Sequence, residues 1–352
     1  MSAKRGIAPQ LDLFVAFLSD ADLRDQIDLM ERPFFSLSKN KRLKEINYQS
    51  PDRSVFVNVK PHQAYGMATI WDADILIWIA SQLNSLRNKG VNDPPRTLHA
   101  RPYELLKAIG RSSGGADAEL LMAAFGRLKS TIIETNIRPK DGEGRALFSW
   151  IDSAAMKKRR RRDGTVARPD DYGISITVSD WVYRSVLDGR ALLSIDPAYF
   201  SITGGRERWL YRVARKHAGA AGANGFAIKF PTLFEKSGAE GTYSRFKFEL
   251  QKIALRNALP GFDLFLEAGR GTNPSLRMIR KGASQATEPD GWPEMPAVYP
   301  PLADDTMAFA HQHRHGADVY ALKADFDRWL GQQPDRAPPD DYQAEFRAFI
   351  CT

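Results

Sequence analysis

Apolar positions along the chain alternate between two rhythms, and the alternation sketches its elements. Ser54–Val59 alternates as a strand closed by Pro61. From Met67 to Leu86 the spacing turns helical, with Ile70, Asp74, Ile77, Trp78 and Leu86 in register and Asn88-Lys89-Gly90 as the stop. Pro102–Ile109 predicts a second, short helix ended by Gly110. Asp117 caps a third, from about Ala118 to Glu134, with Leu121, Phe125, Leu128 and Ile132 as its stripe. Gly142 and Gly144 then turn the chain into an aromatic strand, Ala146–Ile151. One strand, three helices and a hairpin in this order predict a winged helix.

The order recurs. Ile174–Val178 alternates as a strand, Asp180–Leu187 is a short helix and Leu192–Ser194 leads into a larger one, Arg206–His217. Phe226–Phe230 leads into Pro231–Lys236, which Gly238 closes. Thr242–Ala258 is the next helix, and the strands Phe262–Glu267 and Ser275–Arg280 flank the turn Gly269-Arg270-Gly271. Pro102–Gly110 resembles Pro231–Gly238, and Phe125/Leu128/Ile132 echo Phe246/Leu250/Ile253, an offset of 121 to 129 residues. The expected architecture is α+β, with tandem, pseudo-duplicated winged-helix domains. They span 32–152 and 172–281 and are joined by a basic connector over 153–171. A flexible N-terminal arm, 1–31, holds the apolar segment Leu11–Leu18 and a helix capped by Asp20. A Pro-rich linker and acidic tail fill 282–352, with a helix at Tyr320–Leu330.

Charge sharpens this outline. Residues 1–31 carry a net −3, residues 32–280 a net +17 and residues 281–352 a net −6. A basic body between acidic ends suggests a polyanion partner, nucleic acid first among candidates. The single cysteine, Cys351, excludes a disulfide framework and a cysteine-based zinc site. No apolar run is long enough for a membrane span and no signal peptide opens the chain, so it reads as cytoplasmic.

Candidate chemistry is sparse. The G-x-x-x-x-G-K-[ST] loop for phosphates is absent, and Gly219, Gly222 and Gly225 follow a helix rather than open one. His311, His313 and His315 are the only histidine cluster. With Tyr320 they resemble in spacing the His-x-His and tyrosine of rolling-circle nucleases, but Gln312 stands where those carry an apolar residue. A solvated tail is the preferred reading. No active site, metal site or cofactor is expected.

The helix over 244–257 carries Arg245, Lys247, Lys252 and Arg256, with Phe246, Leu250 and Ile253 on another face. Arg245, Lys252 and Arg256 share a stripe, as a groove-reading helix requires. Arg208, Arg212, Arg215 and Lys216 lie on one side of the preceding helix without interspersed acids, so phosphate binding is expected of them, with Arg270 in the wing. In the first copy Arg127, Lys129 and Ser130 are the candidates, with Arg138 and Lys140 entering the wing. Backbone contact is expected there more than base readout. Lys157, Lys158, Arg159, Arg160, Arg161 and Arg162 form an unbroken positive run, read as a mobile connector tracking phosphate.

Five stretches carry a resemblance. They are Met30-Glu-Arg-Pro-Phe-Phe-Ser-Leu-Ser38, Gly66-Met-Ala-Thr-Ile-Trp-Asp-Ala-Asp-Ile-Leu-Ile-Trp78, Arg101-Pro-Tyr-Glu-Leu-Leu-Lys-Ala-Ile-Gly-Arg111, Thr135-Asn-Ile-Arg138 and Gly204-Gly-Arg-Glu-Arg-Trp-Leu-Tyr-Arg-Val-Ala-Arg-Lys-His217. Over about residues 30–280 the chain resembles the plasmid replication initiator protein A family. The resemblance implies an initiator that binds repeated double-stranded origin DNA (iterons) as a monomer, helps to open an adjacent AT-rich region and recruits the host helicase and initiator. It also implies a homodimer that represses its own gene and serves copy control, and it implies no catalytic residue. Gln10-Leu11-Asp12-Leu13-Phe14 resembles the pentapeptide that docks bacterial proteins on the replication sliding clamp, with Leu13 and Phe14 suited to an apolar pocket. The alternatives are that Leu11, Leu13 and Phe14 are a helix's core face, and that the whole protein is a winged-helix repressor without a replication role.

Overall fold

The computed structural model describes residues 21–112, 115–140, 144–158, 172–188, 192–268 and 273–282, then 302–313, 341–351 and a few positions between. The chain divides into two compact units, Met1–Ala286 and Thr287–Thr352. The architecture is mixed α and β.

In the larger unit the chain enters through β1 (Arg24–Gln26) and α1 (Ile27–Glu31), followed by β2 (Ile46–Gln49) and β3 (Phe56–Lys60). α2 (Ala73–Asn88) is the central helix. It is buried around most of its circumference from Ala73 to Leu83, so its apolar residues do not form a single stripe. Thr69 donates through its amide and hydroxyl to Asp72 at the helix start. β4 (Thr97–Ala100), α3 (Pro102–Ala108) and α4 (Gly115–Ser130) follow, then β5 (Ile132–Thr135), β6 (Ala146–Phe148), β7 (Ile151–Lys158) and β8 (Tyr172–Val178). The second half runs α5 (Asp180–Leu187), β9 (Leu192–Ser194), α6 (Gly205–His217), β10 (Phe226–Lys229), α7 (Phe230–Ser237), α8 (Tyr243–Arg256), β11 (Phe262–Glu267) and β12 (Ser275–Arg280).

Strand pairing redraws the expected boundaries. β8 pairs with β4 and β7, in the order β4-β8-β7. The strand over Ile174–Val178 therefore belongs to the first half, where Ile174, Ile176 and Val178 are buried. Its hairpin partner β7 contains Lys157 and Lys158, so the basic run lies in the link between two paired strands. The expected connector over 153–171 is not one. Arg159–Arg162 themselves lie outside the described residues. The segment around Gly142 and Gly144 was expected to be the first half's wing. Its strand β6 instead closes a separate sheet of order β2-β3-β5-β6. Alternation shows that a strand exists but not which strand it joins.

Once β5 and β6 are set aside, the two halves share one plan. α2, β4, α3, α4, β7 and β8 correspond to α6, β10, α7, α8, β11 and β12, whose sheet order is β10-β12-β11. In each sheet the last strand sits in the middle.

Residues 24–31 are not part of an arm. β1 pairs antiparallel with β9, and Asp25, Gln26, Leu29, Met30 and Glu31 are buried. The helix over 118–134 stops at Ser130, and Ile132, expected in its core stripe, is a 45% exposed strand residue.

Phe34, Phe35, Phe148, Trp150 and Trp181 stack into one aromatic core, and Trp181 donates to the Ile137 carbonyl at 2.9 Å. Gly205 opens α6 against Leu37 and Trp71, where a Cβ would come within 2.1 Å of the Leu37 carbonyl oxygen.

The smaller unit has its own core. α9 (Asp304–His313) and α10 (Tyr342–Cys351) pack with Phe326 and Leu330, burying Ala310, Tyr342, Phe346 and Ile350. The expected solvated tail is a small helical body.

Candidate nucleic-acid interface

α8 is built to present one face outward. Thr242 caps it by accepting from the Arg245 amide at 3.3 Å, and Asn257 ends it in the left-handed region, φ 45°. Phe246, Leu250, Ile253 and Ala254 bury the inner face. Opposite them lie Ser244, Phe248, Lys252 and Leu255, all exposed, with Gln251 half-buried among them. Phe248 is 55% and Leu255 77% exposed, which is unusual for such large apolar groups and leaves them free to meet a partner. The Lys252 ammonium sits 4.3 Å over the Phe248 ring.

The other expected residues of α8 lie on its flanks. Arg245 donates to Glu249 at 2.9 Å and Arg256 to Glu207 at 2.7 Å, and both guanidinium groups are mostly exposed. Pairs this exposed are weak and can be exchanged for phosphate. Lys247 is half-buried. A groove of about 560 Å³ runs beside the last turns of α8, lined by Leu37, Gly205, Lys252, Leu255 and Arg256.

The cations of α6 do not face outward. Arg208 is 4% exposed and donates from Nη1 to both oxygens of Asp74, at 2.7 and 2.8 Å, from Nη2 to the Phe200 carbonyl and from Nε to the Ile202 carbonyl. Arg212 is 1% exposed and donates to Asp25 at 2.6 and 2.9 Å. Arg215 donates to the Ser194 carbonyl and hydroxyl. Lys216 reaches Glu31, which His217 and Lys236 also contact. Phosphate contact, expected of this group, is corrected: the acids that pair it stand on α1, α2 and β1, distant in sequence, so their absence from α6 itself was no sign of free charge. Burial raises the Glu31 carboxyl, but the contacts with His217, Lys216 and Lys236 outweigh it and hold Glu31 well below the ordinary range. Burial pushes Asp74 up to about 6, against the pull of Arg208 and Arg111.

In the first half Arg127 forms a bidentate pair with Asp72, at 2.7 Å twice, and Ser130 donates to the Gly126 carbonyl. Arg138 bridges Asp28 and Asp188 at 2.6 and 2.7 Å. Lys140 lies 3.5 Å from Asp180. Of the expected set on α4, Lys129 alone is exposed. The outward positions Glu119, Leu120 and Met122 carry no cation. Lys157 and Lys158 end β7, while Arg270 and the motif Gln10–Phe14 lie outside the described residues.

Sequence reasoning missed Phe248 and Leu255. The signal was present: Phe246 and Phe248 are two residues apart on a helix and cannot share a face. No group of three His, Cys, Asp or Glu side chains able to hold a metal occurs among the described residues. His313 donates from Nδ1 to the Phe309 carbonyl at 2.9 Å and stacks on that ring, while His315 and Tyr320 lie outside the described residues. Among the described residues no helix is long and apolar enough to cross a membrane.

The family model of replication initiator protein A matches residues 24–264. The chain belongs to the replication initiator protein A family. The match runs from β1 into β11 and stops short of β12 and of the helical body beyond residue 287. A "Putative replication protein" of Wigglesworthia glossinidia brevipalpis is 31% identical to this initiator over 246 residues, covering 69% of the chain and 85% of that protein. Two crystal structures of domains 2 and 3 of RctB align with 71% and 72% of the chain and 96% of theirs, at 11% identity and TM-scores of 0.49 and 0.45.

Proposed function

We propose that this initiator binds double-stranded origin DNA through two winged-helix domains, with α8 in the major groove. The observation that carries the reading is the outward face of α8. It places an aromatic ring, a cation held over that ring and two short polar side chains at the spacing that follows a groove floor. Phe248 meets a thymine methyl, Ser244 and Gln251 take base edges, and Lys252 takes a phosphate. Arg245 and Arg256 add backbone contacts as they leave Glu249 and Glu207. The shared plan of the halves, with the last strand central, supports the winged-helix assignment. It makes β11–β12 and β7–β8 the two wings, and in chain order Arg270 and Arg159–Arg162 fall between the paired strands of each.

On this reading the first half holds DNA by its wing, since α4 presents little charge. Binding to tandem origin repeats strains the duplex, and the adjacent AT-rich region opens at the expense of binding energy. The family's role supports recruitment of host helicase and initiator and a repressing homodimer. Gln10–Phe14 docks the sliding clamp. The protein works in the cytoplasm on its plasmid, by binding rather than by catalysis.

Fluorescence anisotropy on an origin-repeat duplex and on point-substituted duplexes tests this. Phe248→Ala is expected to relax discrimination at one A·T pair by about 1 kcal/mol, the scale of one buried methyl group. Lys252→Gln is expected to weaken all duplexes alike. Equal affinity of the wild type and Phe248→Ala for every duplex contradicts the placement of α8. Binding to a single promoter palindrome alone supports the repressor.

A further inference from the structure

The segment Leu37–Lys44 reaches both the groove beside the last turns of α8 and the turn that leads into that helix. At one end Leu37 lines the groove with Lys252, Leu255 and Arg256. At the other, the buried Arg42 donates to the carbonyl of Gly238 at 2.6 Å, where α7 ends and the turn into α8 begins. Arg42 also donates to its own loop, at the Lys44 carbonyl, and lies 3.7 Å from Glu240. The opposite side of the segment meets the first half. The Met67 amide donates to the Arg42 carbonyl at 3.0 Å, the Lys41 stem lies against Gly66, and Tyr65 lies on Gly126 of α4. The two loops thus bridge the third helices of both halves.

Four cations stand in this segment, and they divide by role. Arg42 is the pin: it is buried and its donors are spent on carbonyls. Lys39, Lys41 and Lys44 are exposed around it. Lys41 and Lys44 make no ion pair among the described residues, and Lys39 has only the Trp71 ring, 5.2 Å away. Glu240 is held by Arg42, and Glu45 is the exposed acid beside Lys44. Three like charges within six residues of a pinned loop repel one another, and a polyanion relieves that repulsion.

We infer that Lys39, Lys41 and Lys44 form a phosphate rail that grips the duplex backbone between the sites of α8 and of the first half. This rests on the DNA-binding reading above. The rail is sequence-blind, because ammonium groups on phosphates carry no base information.

The test is the salt dependence of binding to an origin-repeat duplex by the full chain. Each neutralised phosphate contributes about 0.9 to the slope of log K against log salt, so Lys39→Gln/Lys41→Gln/Lys44→Gln should flatten it by up to about 2.7. Affinity should fall tenfold or more, with the urea midpoint and the pattern of protected bases unchanged. Lys60→Gln, an exposed lysine on β3, serves as the control. A triple variant with the wild-type slope, beside a Lys252→Gln variant whose slope is reduced, overturns the rail and leaves the α8 reading intact. Wild-type protein that shows no salt-sensitive binding overturns the DNA reading, and the rail with it.

Discussion

Replacing Arg212 with leucine separates a structural role for the α6 cations from a DNA-binding one. The Asp25 side chain is 3% and the Arg212 side chain 1% exposed, so their two hydrogen bonds lie away from water. Arg212→Leu leaves a buried carboxylate whose remaining donor is the Gln26 amide. Breaking a buried pair on one side costs about 3–5 kcal/mol. With a urea m-value of about 3 kcal/mol/M or more for a unit of this size, the midpoint should fall by roughly 1 M. Removing both charges is different. Arg212 already has one buried nitrogen without an acceptor, so the pair is not fully satisfied as it stands. Asp25→Leu/Arg212→Leu should recover most of the loss, because an apolar pair of similar volume escapes desolvation. Urea unfolding at pH 7 followed by circular dichroism reads both variants, and the double variant remains informative if the single one does not fold. A stable Arg212→Leu protein with a shallower salt slope on DNA would refute the reasoning and return Arg212 to the phosphate contacts.

Glu31 provides stability that is complete above its ordinary pKa of 4.5 and is lost as the pH falls toward its depressed value in the fold. The difference in urea midpoint between wild type and Glu31→Gln should therefore be largest at neutral pH and shrink from pH 4.5 to pH 3; a difference that grows on acidification contradicts this. Gly238→Ala should destabilise by about 1–2 kcal/mol from the left-handed backbone alone. It should lose more because its Cβ would stand 2.6 Å from Pro33, and a thermal midpoint equal to wild type would count against that. Deleting 287–352 should leave the unfolding transition of the larger unit in place, whereas Phe326→Ala in the full chain should expose the C-terminal helices to limited proteolysis.

Local patterns were legible in the sequence wherever one face of an element is buried. α8 and its inner residues Phe246, Leu250 and Ile253 follow from period and capping alone, as do α3 and the strands β11 and β12. Pairing was not legible. The alternation of Ile174, Ile176 and Val178 carries no information on whether β8 joins the strand before it or one after it, so the hairpin was split and its basic link was read as a connector. The partners of Arg208 and Arg212 were hidden for a similar reason, since Asp74 and Asp25 lie 134 and 187 residues away. β4, four residues between a helix stop and Pro102, is too short to announce itself. The tail core was missed because Ala310, Phe326 and Phe346, far apart in sequence, meet only when the tail folds on itself.

The central claim is that α8 reads repeated origin DNA. The most direct test is a footprint of the purified initiator on its own plasmid at two salt concentrations, with permanganate probing for unpaired thymines and with Phe248→Ala beside the wild type. The account predicts salt-sensitive protection of phased direct repeats with reactive thymines nearby, and weaker, less sharply bounded protection in the variant. Protection that is absent at both salt concentrations, or identical in the two proteins, contradicts it.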